Sequence, residues 1–152
     1  MKLFSFAIAA SLITMDASAA NLGDVKTVYL LPMSGGLDQY LAIRLTTGSI
    51  LQVVTDPQKA DAIFTDRIGS GLEETLAGLY NEKSKEKDDA QTFAKPGMQS
   101  ITRGRGTVFL VDRKTRDVVW ATTERPKNSS ADEVSHVADR IAGKLVKSLK
   151  GK

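Results

Sequence analysis

Hydrophobic and polar positions follow two different periods along the chain, and together they predict three helices and five strands. Short β-rich runs occupy residues 26–31, 50–54 and 62–65. Three longer stretches carry apolar residues at helical spacing, so each is predicted to bury one helical face. Those apolar positions are Leu37, Tyr40, Leu41 and Leu45, then Leu72, Leu76, Leu79 and Tyr80, and finally Val134, Val137, Ala138, Ile141, Leu145 and Leu149.

Residues 103–124 predict the remaining two strands as a β-hairpin. A four-residue turn that sets Asp112 opposite Asp117 fixes the register of this hairpin. The register makes four cross-strand pairs: Phe109 with Trp120, Val111 with Val118, Thr107 with Thr122 and Arg105 with Glu124. Aromatic, β-branched, hydroxyl and opposite-charge pairs all stabilise antiparallel strands. We therefore expect Phe109 and Trp120 to lie together in the core, and an exposed aromatic anchor is the alternative.

Cap and turn residues predict where several elements begin. Asp56 before Pro57 predicts the N-cap of a single helical turn over residues 57–60. Ser70 and Ser130 each precede a glutamate by three residues, which is the capping-box pattern, at the starts of the second and third helices. The continuous apolar run at 50–54 predicts a strand that is buried on both faces.

These elements follow one another in the order β-α-β-β-α, a loop, then β-β-α. The order predicts one α/β (α+β) domain over residues 21–152, with helices packed on a single mixed sheet of about five strands. Residues 81–100 interrupt the pattern with mixed charges and few apolar side chains. Because such a segment buries too little surface to offset its ordering entropy, we predict a mobile polar loop there.

The first twenty residues have the three parts of a secretory signal peptide. Lys2 supplies a positive charge, residues 3–15 form an uncharged apolar run, and small residues precede cleavage after Ala19 or Ala20. The apolar run is shorter than the roughly 20 residues that span a bilayer. We therefore expect an exported protein, periplasmic or extracellular, with no transmembrane segment after processing.

Composition removes several classes of chemistry. The 152 residues include no Cys and a single His. Disulfides, thiolate nucleophiles, zinc–thiolate sites and iron–sulfur clusters all need Cys, and one imidazole cannot form a His pair. Helical spacing places that imidazole, His136, opposite the apolar stripe of the third helix, so we expect it to face solvent.

Two other polar groups suggest chemistry but fit structural roles better. Asp56, Asp61 and Asp66 recur every five residues without the order of an EF-hand loop, which favours caps and turns over a metal site. Residues 33–36 lie between a strand and a helix, where free amides can bind an anion, but they lack a phosphate-loop pattern and favour a tight turn. We expect no catalytic residue, no metal and no cofactor.

Charge is distributed unevenly along the chain. Residues 21–94 carry 7 basic and 11 acidic groups, whereas residues 95–152 carry 13 and 6. Arg103 and Arg105 share one face of a predicted strand and are our candidate anion-binding surface. A merely solvated basic face is the alternative interpretation.

Three stretches carry a resemblance to a group of bacterial envelope domains: L-D-Q-Y-L-A-I-R-L, I-L-Q-V-V-T-D-P-Q-K-A-D-A-I-F-T and V-F-L-V-D-R-K-T-R-D-V-V-W. The pattern resembles the small α/β domain of the TolB amino-terminal region, the curli-secretion lipoprotein and the lipoprotein activator of penicillin-binding proteins. It covers most of residues 25–149. The resemblance implies an envelope accessory domain that works by contacting other proteins. Several members of the group are lipoproteins, whereas this chain has no Cys to carry a lipid.

The sequence therefore predicts an exported, non-catalytic accessory domain whose partner is another envelope protein and not a nucleic acid. One alternative is a binder of an anionic envelope component that uses the basic C-terminal half. A second alternative is a hydrolase, although the chain lacks a G-x-S-x-G elbow. Strand order and oligomeric state stay open.

Overall fold

The described part of the chain comprises residues 21–80 and 106–151 of a computed structural model. The predicted signal peptide at 1–20, the predicted loop at 81–100, and Arg103 and Arg105 lie outside these ranges. Within the ranges, no helix combines the length and the apolar character that crossing a membrane requires.

One mixed sheet runs through the described residues. Its strands are β1 (Thr27–Leu30), β2 (Gln52–Val53), β3 (Ala62–Thr65), β4 (Thr107–Asp112) and β5 (Val118–Thr123), in the order β2-β1-β3-β4-β5. β1 pairs in parallel with β2 and β3, whereas β4 pairs antiparallel with β3 and β5. The α-helices are α1 (Leu37–Thr47), α2 (Ser70–Tyr80) and α3 (Ala131–Lys150). The predicted α/β class, with three helices on one mixed sheet of five strands, is confirmed.

Helices cover the two faces of the sheet unequally. α1 and α3 lie side by side on one face, where Leu41, Phe64 and Ile141 are fully buried; we call this the α1/α3 core. α2 packs on the opposite face, with Leu76 and Ile63 at the centre of a smaller α2 core. The apolar positions predicted for all three helices are buried or half-buried. Helices lie on both sides of the sheet because each face carries apolar side chains that must be covered.

β2 differs from the prediction made for residues 50–54. It contains only two residues, it forms one edge of the sheet, and Gln52 is exposed. The prediction of a strand buried on both faces is therefore wrong. The apolar residues beside it, Ile50 and Leu51, pack in the α1/α3 core.

A β-bulge corrects the predicted register of the hairpin. Asp112 opposes Asp117 and Val111 pairs with Val118, as predicted, but the register then shifts between Leu110 and Val111. Beyond the bulge the pairs are Leu110 with Trp120, Phe109 with Ala121 and Thr107 with Thr123, so the predicted partners of Phe109 and Thr107 are wrong. Arg105, the predicted partner of Glu124, lies outside the described residues, and the amide of Glu124 donates to the carbonyl of Gly106.

The bulge changes which core the two aromatic side chains join. Because one extra residue, Val119, enters β5, every later side chain of that strand moves to the opposite face. Trp120 packs in the α1/α3 core, edge-on to Phe64 at 6.4 Å between ring centroids. Phe109 packs in the α2 core. The expectation that Phe109 and Trp120 share one core is wrong.

Helix caps follow the sequence in two cases of three. Asp56 accepts the amide of Gln58 and begins the turn Pro57–Lys59, as predicted. Ser130 Oγ accepts the amide of Glu133 at 3.2 Å and caps α3. The reciprocal bond of the predicted capping box does not form, because the amide of Ser130 donates to Asn128 and Glu133 accepts the amide of Lys127. The capping box predicted at Ser70 is wrong, because Ser70 is the first residue of α2 and does not precede the helix. The carbonyl of Gly69 accepts the amides of Leu72 and Glu73.

Candidate functional site

Carboxylates in the N-terminal half bind neighbouring backbone and hydroxyl groups. Asp61 Oδ2 accepts the amides of Lys26 at 3.0 Å and Thr27 at 2.9 Å, which joins the start of β1 to the start of β3. Burial raises the pKa of Asp61, but the hydrogen bonds from Thr27 and Lys26 outweigh it and hold the pKa below the ordinary 3.8. Asp66 Oδ2 accepts the amide and the hydroxyl of Ser34, each at 2.8 Å. These aspartates therefore have structural roles, as predicted, but Asp61 and Asp66 join distant segments of the chain and do not act as the local caps or turns that the sequence predicts.

The turn at residues 33–36 uses its first two amides within the chain. The amide of Met33 donates to Asp38 Oδ1 at 3.0 Å, and the amide of Ser34 donates to Asp66. The two glycines of the turn have positive φ angles of 70° and 73°, which glycine adopts without strain. The carboxylates of the protein itself thus occupy donors that an external anion would need, and the tight-turn interpretation is confirmed.

His136 lies on the solvent side of α3, as predicted, and is exposed. Within residues 21–80 and 106–151 it has no hydroxyl or carboxylate partner of the kind that nucleophilic catalysis uses. The same ranges contain no group of three or more His, Asp or Glu side chains that could hold a metal ion.

Two arginines of the hairpin turn stack on Tyr80 at the end of α2. The guanidinium carbons of Arg113 and Arg116 lie 5.7 and 5.5 Å from the ring centroid, within the range of cation–π attraction. Arg116 Nη1 is buried without a hydrogen-bond acceptor among the described residues. The guanidinium of Arg116 instead contacts the Tyr80 ring. Tyr80 donates its hydroxyl to the carbonyl of Pro57 at 3.0 Å, and burial raises its pKa although both arginines oppose that rise.

An ion-pair network joins the end of β5 to α3. Arg140 bridges Glu124 Oε2 at 3.0 Å and Glu133 Oε1 at 3.2 Å, and Lys144 pairs with the second oxygen of Glu124. The amide of Lys127 also donates to Glu133 at 3.1 Å. The network consists of Glu124, Glu133, Arg140 and Lys144, and it fixes α3 beside β5.

The pKa values of the network follow from its contacts. The hydrogen bond from Lys144, with that from Arg140, outweighs partial burial and lowers the pKa of Glu124. The amide of Lys127 and the guanidinium of Arg140 lower the pKa of Glu133. The same two carboxylates raise the pKa of Arg140. Glu124, Glu133 and Arg140 therefore carry full charge at neutral pH.

Acid should remove the contribution of this network. Because the folded pKa values of both glutamates lie below the ordinary 4.5, the network stabilises the fold above that pH and the stabilisation is lost as pH falls through the folded values. We expect Glu124→Gln to have a lower free energy of unfolding than the wild type at pH 7 and to converge with it between about pH 5 and pH 3. Urea unfolding at a series of pH values measures this. Glu74→Gln, at an exposed position of α2, should match the wild type throughout, and a constant gap for Glu124→Gln would contradict the assignment.

Among residues 21–80 and 106–151, no strand pairs with the outer side of the β5 backbone. β5 is the last strand in the sheet order, and it is six residues long. Hydrogen-bonded and non-hydrogen-bonded pairs alternate along an antiparallel ladder. The amide of Glu124 donates to the carbonyl of Gly106, so these two residues form a hydrogen-bonded pair. Counting back along β5, Thr123 and Ala121 therefore belong to non-hydrogen-bonded pairs. Their amides and carbonyls point away from β4, and we call this side the free edge.

The side chains beside the free edge are partly apolar and partly exposed. On the face of the α2 core, Val118 is 46% exposed and Ala121 is exposed, while Phe109 of β4 is half-buried. On the other face, Trp120 is held by a hydrogen bond from Nε1 to Ser148 Oγ at 3.0 Å. The free edge is therefore attached to a rigid strand and borders a shallow apolar surface.

The opposite edge of the sheet offers a weaker alternative. A shallow open groove of about 470 Å³ lies beside β2 and is lined by residues such as Val25, Ile50 and Gln52. β2 contributes only two residues of ladder there, so an added strand would form few main-chain bonds. The free edge of β5 is thus the better candidate.

No protein-family model, curated protein or solved structure matches this chain. The resemblance to the TolB amino-terminal group therefore stays a prediction.

Sequence reasoning brought some of these residues together and missed others. It placed Asp56, Asp61 and Asp66 at caps and turns, and it predicted the hairpin that contains β5. It did not find the free edge, because strand order is not visible in a linear pattern. It also missed the stacking of two arginines on Tyr80, although the aromatic residue at the end of a helix and the arginine-rich turn were both visible.

Proposed function

We propose that this chain is an exported accessory domain, without catalytic activity of its own, that binds another envelope protein by adding a strand of that protein to β5. The observation that carries the proposal is the free edge, where the amides and carbonyls of Ala121 and Thr123 are available for main-chain pairing. Strand addition is a recurring mode of recognition in which main-chain hydrogen bonds supply affinity and side chains supply selectivity.

The length and setting of β5 support this mode. Six residues are a typical strand length and allow an added strand to form several bonds. Long unpaired edges are a liability in proteins, which blunt them with bulges and charged residues unless they use them. β5 has a bulge at Val119, near its start, whereas Ala121 and Thr123 continue as regular ladder beyond it.

The carboxylate and imidazole chemistry supports a binding function over a catalytic one. The aspartates considered above bind backbone amides, and His136 is exposed on the outside of α3. General acid–base catalysis needs a titratable group within hydrogen-bond reach of a reacting atom in a site that shapes its protonation. A surface that presents main-chain donors and acceptors instead suits association.

Photocrosslinking tests the proposal directly. Val118→p-benzoylphenylalanine places a crosslinker beside the free edge, and His136→p-benzoylphenylalanine places a matched crosslinker on the exposed side of α3. In envelope fractions of the producing cell, we expect a defined protein adduct from position 118 and not from position 136. Equal adducts from both positions, or none from position 118, would contradict docking at β5.

A proline substitution makes the same test specific for main-chain pairing. Ala121→Pro removes an amide that points away from β4, so the β4–β5 ladder keeps its bonds and stability should change by no more than about 1 kcal/mol. Ala121→Thr keeps the amide and favours strand geometry, which makes it the control. We expect the adduct at position 118 to disappear in Ala121→Pro and to persist in Ala121→Thr.

Binding of an anionic envelope component is the second candidate. Residues 106–151 carry 9 basic and 6 acidic groups, whereas residues 21–80 carry 4 and 7. A polyanion held by exposed charge alone needs no strand pairing, so its binding should survive Ala121→Pro and weaken steeply with salt. This outcome separates the two candidates.

A further inference from the structure

Basic side chains line the side of α3 that borders β5. Arg140 and Lys144 contact Glu124 at the end of β5, and Lys147 lies one turn further along the same side of the helix. We call Arg140, Lys144 and Lys147 the basic row. Arg140 and Lys144 contact Glu124, and Ser148 further along α3 contacts Trp120, so the row runs along the strand rather than across it.

Acidic residues within the described ranges neutralise only part of this charge. Glu124 and Glu133 pair with Arg140 and Lys144. Lys147 of α3 and Arg125, which follows β5, are exposed and form no ion pair with any residue in the described ranges. Within the part of the chain that the structure describes, the free edge is therefore bordered by positive charges that no carboxylate pairs with.

The two faces of an added strand would meet different surroundings. Successive side chains of a strand point to opposite faces, and neighbouring strands lie about 4.8 Å apart. On one face the added side chains would lie beside the basic row. On the other face they would extend the partly exposed apolar surface formed by Val118 and Ala121.

From this arrangement, and resting on the proposed function, we infer that the partner segment of β5 is an amphipathic extended strand in which acidic residues alternate with apolar ones. The carboxylates face the basic row, and the apolar side chains cover Val118 and Ala121. Opposite charges across an interface steer association and select the partner, with affinity supplied by the main-chain pairing.

A second copy of this chain fits the free edge less well. Two β5 strands related by two-fold symmetry would bring two basic rows, and two copies of Arg125, to the same interface. Like charges placed opposite each other destabilise a strand pair. The inference therefore commits to an acidic partner, and self-association is an outcome that the test can detect.

Three fluorescein-labelled, end-capped nonapeptides provide the probes: alternating Glu and Val, alternating Gln and Val, and alternating Lys and Val. We expect the Glu peptide to bind the wild-type chain at least tenfold more tightly than the Gln peptide at about 50 mM salt, as measured by fluorescence anisotropy. The difference should shrink at about 500 mM salt, where the screening length falls to a few Å. The Lys peptide should not bind.

Two variants assign the binding to the surface described. Lys147→Glu combined with Arg125→Glu should weaken the Glu peptide about tenfold and leave the Gln peptide unchanged, because neither residue takes part in the ion-pair network. Ala121→Pro should abolish binding of both peptides, and Ala121→Thr should not.

The outcomes separate this inference from the proposed function. Equal binding of the Glu and Gln peptides, lost in Ala121→Pro, would overturn the acidic preference and leave strand addition standing. Binding of the Glu peptide that survives Ala121→Pro would contradict strand addition itself. Absence of Glu-peptide binding, or a concentration-dependent dimer in sedimentation that Ala121→Pro abolishes, would overturn the inference in favour of another occupant.

Discussion

Gly106→Ala is expected to lower the free energy of unfolding by about 3 kcal/mol. Gly106 enters β4 with a φ angle of +81°, a conformation that residues with a Cβ rarely adopt. A Cβ there would overlap the backbone carbonyl of Glu124 and lie 3.3 Å from Pro126 Cδ. The obstacle is backbone, so it cannot move aside as a flexible side chain would. Urea unfolding followed by the fluorescence of Trp120 measures the loss.

A second glycine gives the matched control. Gly143 lies on the exposed side of α3, and an added Cβ would meet nothing within 4 Å. Because alanine favours a helix over glycine, Gly143→Ala should raise the free energy of unfolding by about 0.5–1 kcal/mol. Opposite signs for two Gly→Ala substitutions would confirm that the entry to β4 needs glycine. A Gly106→Ala variant with an unchanged free energy of unfolding would show that the backbone at residue 106 has a different conformation.

Phe64→Ala should cost about 3–5 kcal/mol. Phe64 is fully buried at the centre of β3, and it contacts Trp120 edge-on. Removing the ring leaves a cavity between the sheet and the helices of the α1/α3 core, and it removes the aromatic pair that orients β5. Domains of this size have about 5–15 kcal/mol of stability in total, so the variant should be close to unfolding at 37 °C.

An exposed aliphatic residue controls for the loss of apolar surface alone. Ile43 on α1 is 53% exposed, and Ile43→Ala should change stability by no more than about 0.5 kcal/mol. Near-ultraviolet circular dichroism adds a second readout, because the Trp120 signal should weaken in Phe64→Ala even under conditions where the variant is folded. An unchanged Trp120 signal would contradict the contact between the Trp120 and Phe64 rings.

Much of the fold follows from patterns that the sequence displays directly. The apolar stripes of α1, α2 and α3 have helical spacing, and tertiary packing buries them as that spacing requires. The hairpin turn follows from Asp112, whose Oδ1 accepts the amides of Lys114 and Thr115 at 2.8 Å. Such local interactions depend on near neighbours and are therefore predictable.

The errors arise where the outcome depends on distant parts of the chain. Val118, Val119 and Trp120 form an apolar run that fits either face, so nothing local indicates which residue forms the bulge. Packing decides it, because the bulge lets Trp120 reach Phe64 and Ser148. Likewise, an apolar run reads as a central strand, whereas the position of β2 at an edge follows from strand order.

The candidate site combines one predictable property with one that is not. The basic character of the C-terminal half is a matter of counting charges, although Arg103 and Arg105, the residues singled out for it, lie outside the described residues. The free edge depends on which strand is last in the sheet, and that requires the three-dimensional structure. Only the two together indicate what kind of partner β5 would accept.

Amide hydrogen exchange of the free protein tests the central claim most directly. If the outer side of β5 is available, the amides of Ala121 and Thr123 exchange rapidly, while the amide of Thr122, which points towards β4, exchanges slowly. Addition of the alternating Glu and Val peptide should then protect Ala121 and Thr123 and leave Thr122 unchanged. Protection of Ala121 and Thr123 equal to that of Thr122 in the free protein would mean that the edge is already occupied, and it would contradict the account.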